Sequence, residues 1–152
     1  MFASDRISIP IGLYGTASSG VLANSAWGVC GIAVGEIGFV GSAGTYVYML
    51  SEGDNIRDNF NGVFCNSAPN ISGSADFGPD RLDLHSIQLP AALATETLES
   101  VVFVSYYQFE LGTPFLAGLT IDPAPPQATP EPSSLLFAGI AAITIVVKRR
   151  LQ

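Results

Sequence analysis

Apolar and polar positions alternate with period two along most of the chain, which predicts short strands with side chains on opposite faces. From Arg6 to Leu13, Ile7, Ile9, Ile11 and Leu13 share one face and Pro10 sits on the other. Proline cannot donate to a strand ladder, so this segment reads as an edge strand. Gly15 to Gly20 reads as a turn-rich loop. Thr45 to Ser51 is the clearest strand, with Tyr46, Tyr48 and Leu50 on one face and Val47 and Met49 on the other. A polar loop from Glu52 to Gly62 follows, then a short strand, Val63 to Cys65, and a second long loop from Asn66 to Asp80. In Arg81 to Leu89, Leu82 and Leu84 alternate with Asp83 and His85, and the phase changes at Ile87 and Leu89, predicting a bulge near Ser86. Pro90 to Leu98 reads as one or two helical turns. Glu99 to Phe109 and Thr113 to Asp122 read as the last two strands.

Val21 to Gly44 carries one charge, Glu36, and glycines at 28, 31, 35, 38, 41 and 44. Gly31 and Gly35 form a GxxxG, which suits a second apolar helix packed closely on a neighbour. The alternative is buried strands, Ala26 to Val34 and Glu36 to Val40, with glycines at bends and bulges. Glycine costs about 1 kcal/mol relative to alanine in a helix interior, and the strand reading is preferred. Strands at this spacing, separated by turn residues, define an all-β class. The expected architecture is an antiparallel β-sandwich or jelly-roll-like domain over residues 1–122.

Composition sharpens this picture. The chain is 48% apolar and only 12% charged, which excludes the disordered class. Its net charge is −7, and the only basic residues before the tail are Arg6, Arg57 and Arg81. Nucleic-acid binding needs a basic face to release counterions, so that class is excluded as well. Cys30 and Cys65 stand without a CxxC or Cys/His spacing, which disfavours zinc and suits one disulfide outside the cytoplasm, with two buried thiols as the alternative.

The end of the chain departs from the strand pattern. Residues 123–129 form a linker with Pro123, Pro125 and Pro126, expected to be an extended polyproline-type spacer. Pro130-Glu131-Pro132-Ser133 follows, then an uncharged run from Leu135 to Val147, then Lys148-Arg149-Arg150. As a helix the run spans about 20 Å, short of a ~30 Å hydrocarbon core, yet snorkelling side chains and local thinning let it cross. A transmembrane helix is expected over 134–147, with the basic cluster 148–150 as a stop held on the cytoplasmic side. Core burial is the competing reading. In this order and at this end, the Pro-Glu-Pro tripeptide, the apolar run and the terminal arginines resemble the PEP-CTERM sorting signal, over about residues 129–150, and the signal is expected to occupy 130–152. That resemblance implies export in a Gram-negative bacterium that makes exopolysaccharide. It also implies recognition by a membrane-embedded exosortase and cleavage near Pro130–Pro132, with passage from the inner membrane to the cell surface or beyond. Met1 to Ser4 lacks the basic and apolar regions of a signal peptide, so the true start is expected upstream.

Other residues offer chemistry. Asp54, Asp58, Asn59 and Asn61, with Glu52 and Asn55 nearby, concentrate oxygen in one loop as calcium sites do, and Asp76, Asp80 and Asp83 form a second group. EF-hand spacing is lost at Ile56 and Phe60, and Asp and Asn are also ordinary turn residues. His85 beside Asp83 is expected to be a solvated strand pair, since no GxSxG accompanies it. Trp27, Tyr46, Tyr48, Tyr106 and Tyr107 suit sugar stacking if they share an exposed face, and core packing otherwise. The expected function is a non-enzymatic surface or matrix protein with no cofactor. A carbohydrate-binding module associated with exopolysaccharide is the alternative, and an exported hydrolase the second.

Overall fold

A computed structural model describes residues 5–106 and 112–125. The linker beyond Pro125, the Pro-Glu-Pro motif, the apolar run and the basic cluster lie outside the described residues. The described residues are all-β. The strands are β1 (Asp5–Tyr14), β2 (Thr16–Ala26), β3 (Ala33–Gly41), β4 (Thr45–Ser51), β5 (Gly73–Phe77), β6 (Asp80–Gln88), β7 (Thr97–Ser105) and β8 (Thr113–Pro123). They form two four-stranded sheets, ordered β1-β7-β3-β4 and β5-β6-β2-β8, with every pairing antiparallel. Among the described strands β3–β4 and β5–β6 are hairpins, and the other consecutive strands lie in different sheets. One core joins the sheets: Val34, Ile37, Phe39, Leu98, Val101 and Phe103 from the first meet Val21, Ala23 and Ile87 from the second. This two-layer arrangement with a shared interior fits a β-sandwich.

Several expectations hold. β1 pairs only with β7 and is an edge strand, as Pro10 required, and its ladder shifts between Pro10 and Leu13. The glycine-rich stretch contains strand, with β3 over most of its second half, and no α-helix occurs among the described residues. Other expectations are corrected. The loop assigned to Gly15–Gly20 shrinks to a turn at Gly15, because β2 begins at Thr16, whose side chain is buried along with Ser19. The strand expected over Ala26–Val34 ends at Ala26, and the chain loops until Ala33. Val63–Cys65 is not a strand. A fifth strand, β5, lies inside the second long loop, and its polar, largely exposed composition explains why alternation failed to reveal it. Pro90–Leu98 holds a single 3-10 turn at Ala91–Ala94 before β7 begins.

The largest correction concerns β6. No bulge interrupts its pairing with β2 or β5. The alternation is strict, with Arg81, Asp83, His85 and Ile87 inward and Leu84 outward. Asp83 and His85 are therefore buried, at 0% and 1% exposure, rather than solvated. A row of polar groups lines the interior of the second sheet where the alternation of leucines suggested core.

Candidate functional site

The register of β2 with its neighbours divides the molecule into two ends. Thr16 pairs with Pro123, and Ala26 pairs with Thr113. The exit of the described chain therefore lies at one pole, while loops 27–32 and 52–72 and the β5–β6 turn gather at the other. That loop-rich pole carries the polar row and the disulfide Cys30–Cys65.

Asp83 is the hub. Arg57 holds it bidentately, Nε donating to Oδ2 at 2.8 Å and Nη2 to Oδ1 at 2.9 Å. Asn24 Nδ2 donates to the same carboxylate at 2.8 Å, and Asp83 N donates to Asn24 Oδ1 at 2.8 Å. Burial is the largest single influence and would raise the Asp83 carboxyl, but hydrogen bonds from Arg57, Ser74 and Asn24 and the Arg57 charge together outweigh it and hold it below its ordinary value. Arg81 lies next to this pair. Its Nε and Nη2 donate to Asp58 O at 3.0 and 2.8 Å, and Nη2 also donates to Asn66 Oδ1. Burial, and then the neighbouring Arg57, lower the Arg81 guanidinium. Two arginines on an edge of the polar row thus pull the backbone of the 52–66 loop onto the sheet. Backbone bonds complete the cap: Ser25 N to Arg57 O, Asn59 N to Ser25 O, Arg81 N to Asn59 O, Asp58 N to Cys65 O and Cys65 N to Gly28 O. His85 Nε2 lies 2.9 Å from Ala23 O. A carbonyl only accepts, so Nε2 carries the proton and Nδ1 faces the interior without a hydrogen-bond partner among the described residues.

Glu52 is the unusual group of the cap. It is 1% exposed, and neither carboxyl oxygen meets hydrogen-bond geometry with a partner among the described residues. Ser25 Oγ is near enough to favour the charged form slightly, yet it too lacks a partner of adequate geometry. Two glycines make room. A Cβ on Gly28 would sit 2.4 Å from the Glu52 carboxyl, and one on Gly112 would sit 3.3 Å from Oε1, at a backbone φ of 120° that side chains rarely adopt. Burial pushes the carboxyl up to about 7, with the Asp58 charge adding to the effect.

This sets a pH dependence. The folded value lies above the ordinary 4.5, so the folded state binds the proton more tightly. The stabilisation is complete below the unfolded value and is lost as pH rises toward and through about 7. The loss amounts to about 3 kcal/mol across that window, at ~1.4 kcal/mol per unit. We expect urea midpoints to fall from pH 5 to pH 8 in the wild type, and Glu52→Gln to flatten that fall. An equal fall in both proteins would place its origin elsewhere.

The loop acids considered for calcium are engaged separately. Asp58 accepts from Gly28 N at 3.2 Å and Phe60 N at 2.7 Å, so both its oxygens serve the backbone. Asp54 accepts from Asn70 Nδ2 at 2.6 Å. Asn59 and Asn61 bind through their backbone N–H to Ser25 O and Pro79 O. Among the described residues no three His, Cys, Asp or Glu side chains are placed to hold a metal ion.

The aromatic residues are likewise divided. Tyr46 and Tyr48 pack against the core, with Tyr46 stacked on Phe39 at 6.2 Å. Tyr106 donates to Glu36 Oε2 at 2.5 Å; burial and this bond push its hydroxyl up to about 12. Trp27 is 62% exposed at the loop-rich pole, Tyr106 follows β7 at the same end of the first sheet, where its N donates to Val34 O, and Tyr107 lies outside the described residues. At the opposite pole an open depression of about 240 Å³ is lined by Tyr46, Pro90, Leu93 and Glu96. Glu96 Oε2 there accepts from Ala43 N at 2.6 Å, and Glu96 is the one carboxylate lining the hollow among the described residues.

Fold and site together define a disulfide-linked all-β domain with a polar-anchored loop cap. No family model matches the chain, no curated protein matches it, and no solved structure matches it.

Proposed function

We propose that this chain is an exported bacterial surface or extracellular-matrix protein without a catalytic role. In this reading, residues 1–122 are the β-sandwich ectodomain and 123–129 the spacer. Residues 130–152 are a PEP-CTERM signal, with one membrane helix over 134–147 and Lys148, Arg149 and Arg150 as its cytoplasmic stop. An exosortase-type enzyme reads Pro130, Glu131, Pro132 and Ser133, and the inner-membrane anchor is temporary.

The observation that carries this reading is the Cys30–Cys65 disulfide, which closes the loop cap. Structural disulfides persist in oxidising compartments and are rare where thiols are kept reduced. β8 ends at Pro123, at the pole opposite the cap, so in this reading an anchored domain presents its cap away from the bilayer. Thiol trapping on fractionated cells tests the proposal. The chain is expected in the envelope or medium with both cysteines refractory to alkylation until reduced. A cytoplasmic chain with two alkylatable thiols would refute it.

A further inference from the structure

We propose that the loop-rich pole is a self-association surface, on which a second copy of this chain docks cap to cap. Six exposed apolar side chains occur there: Trp27, Val29, Phe60, Val63, Phe64 and Phe77. The backbone holds their segments together. Gly28, between Trp27 and Val29, accepts from Cys65 N and donates to Asp58, and Asp58 also accepts from Phe60 N. Phe60 bridges to Asp80, which pairs with Phe77. The disulfide ties Cys30 beside Val29 to Cys65 beside Phe64.

The exposure is not incidental. Val63 is 92% exposed and Phe77 65%. Trp27 has a backbone φ of 59°, a conformation that bulky side chains adopt only at a cost of roughly 1–3 kcal/mol. That cost is accepted while the indole remains in water. Together the six side chains offer on the order of 600 Å² of surface, at the upper end for the largest patch on a monomer. Doubled across a twofold contact, this reaches about 1,200 Å², the lower bound of a stable interface. Tryptophan and phenylalanine are the anchors such interfaces favour.

Charge makes the association identifiable. Asp76 and Asp80 flank the patch and are exposed, so two caps meet apolar centre to apolar centre with like charges at the rim. Salt screens that repulsion. Self-association is therefore expected to strengthen with salt, whereas docking of a basic partner would weaken.

The test is sedimentation of the full chain in mild detergent, which keeps the apolar tail solvated. The wild type is expected to shift from monomer to dimer between about 1 and 100 µM, several-fold more tightly at ~500 mM salt than at ~50 mM. Val63→Asp, at a side chain that supports nothing in the fold, and Trp27→Ser are each expected to weaken the dimer at least about tenfold, with unchanged circular dichroism. A monomeric wild type over this range would overturn the proposal and leave the pole to another partner. So would a dimer that both variants preserve, since the contact would then lie elsewhere, the tail included.

Discussion

Replacing Asp83 by alanine is expected to lower unfolding stability by about 3–5 kcal/mol, the usual cost of removing one partner from a buried ion pair. Asp83 is fully buried and Arg57 only 17% exposed, so the arginine left behind cannot simply turn into water. Asn24, itself at 0% exposure, loses the shorter of its two amide bonds and keeps the one to Arg57 O at 3.3 Å. Since Arg57 also fixes Asn66 O and Ser74 Oγ, the loss should spread to the cap and to β5. Asp83→Asn keeps the shape and some of the bonds and should cost less. The control is Asp122→Ala at the edge strand, where the carboxylate takes one exposed bond from Ser18; its cost should stay below about 1 kcal/mol. Urea denaturation at pH 7 reads all three. A loss under about 1 kcal/mol for Asp83→Ala would mean the polar row is not what anchors the cap.

Removing the disulfide, as Cys30→Ala with Cys65→Ala, is expected to cost about 3–4 kcal/mol in the chain-entropy model for a closed loop of this length. The sequence separation is 35, long enough that the unfolded chain regains considerable freedom. The effect should have a different signature from Asp83→Ala. Both cysteines lie in the cap, so the hydrophobic interior of Ile37, Phe39 and Val101 is left as it was. Hydrogen exchange should accelerate most in 27–32 and 52–66 and least in β3 and β7. Uniform acceleration with a small stability change would show that the bridge does not define the cap.

How far the sequence revealed this arrangement depends on where each residue finds its partner. Pro10 announced an edge strand because a proline's missing donor is a local fact. Thr45–Ser51 was legible because Leu50 is buried while Val47 and Met49 are exposed, as its alternation required. β6 was misread for the opposite reason. Period two in Arg81 to Leu89 has two phases, and the leucines at 82 and 84 suggested the wrong one. Asp83 points inward because Asn24 and Arg57 meet it there, and those partners lie 59 and 26 residues away along the chain. The same holds for Glu52, recognisable as a loop acid but not as a buried one, since its surroundings come from Gly28 and Gly112. The exposed phenylalanines at 60, 64 and 77 carried no signal, because single apolar residues in polar loops have no periodicity to interpret. Among the described sugar-stacking candidates, Trp27 stands exposed at the loop-rich pole, while Tyr106 there is tied to Glu36.

In the function proposed above, the cap and its sandwich are cargo and the tail is an address that is removed. Intact-mass measurement of the envelope and secreted fractions, in a host with and without the exosortase-type enzyme, tests it most directly. With the enzyme, the chain is expected to end near Pro130–Pro132 and to have lost Lys148, Arg149 and Arg150; without it, the tail should remain attached. A chain that keeps its tail through Gln152 in both hosts would contradict the account.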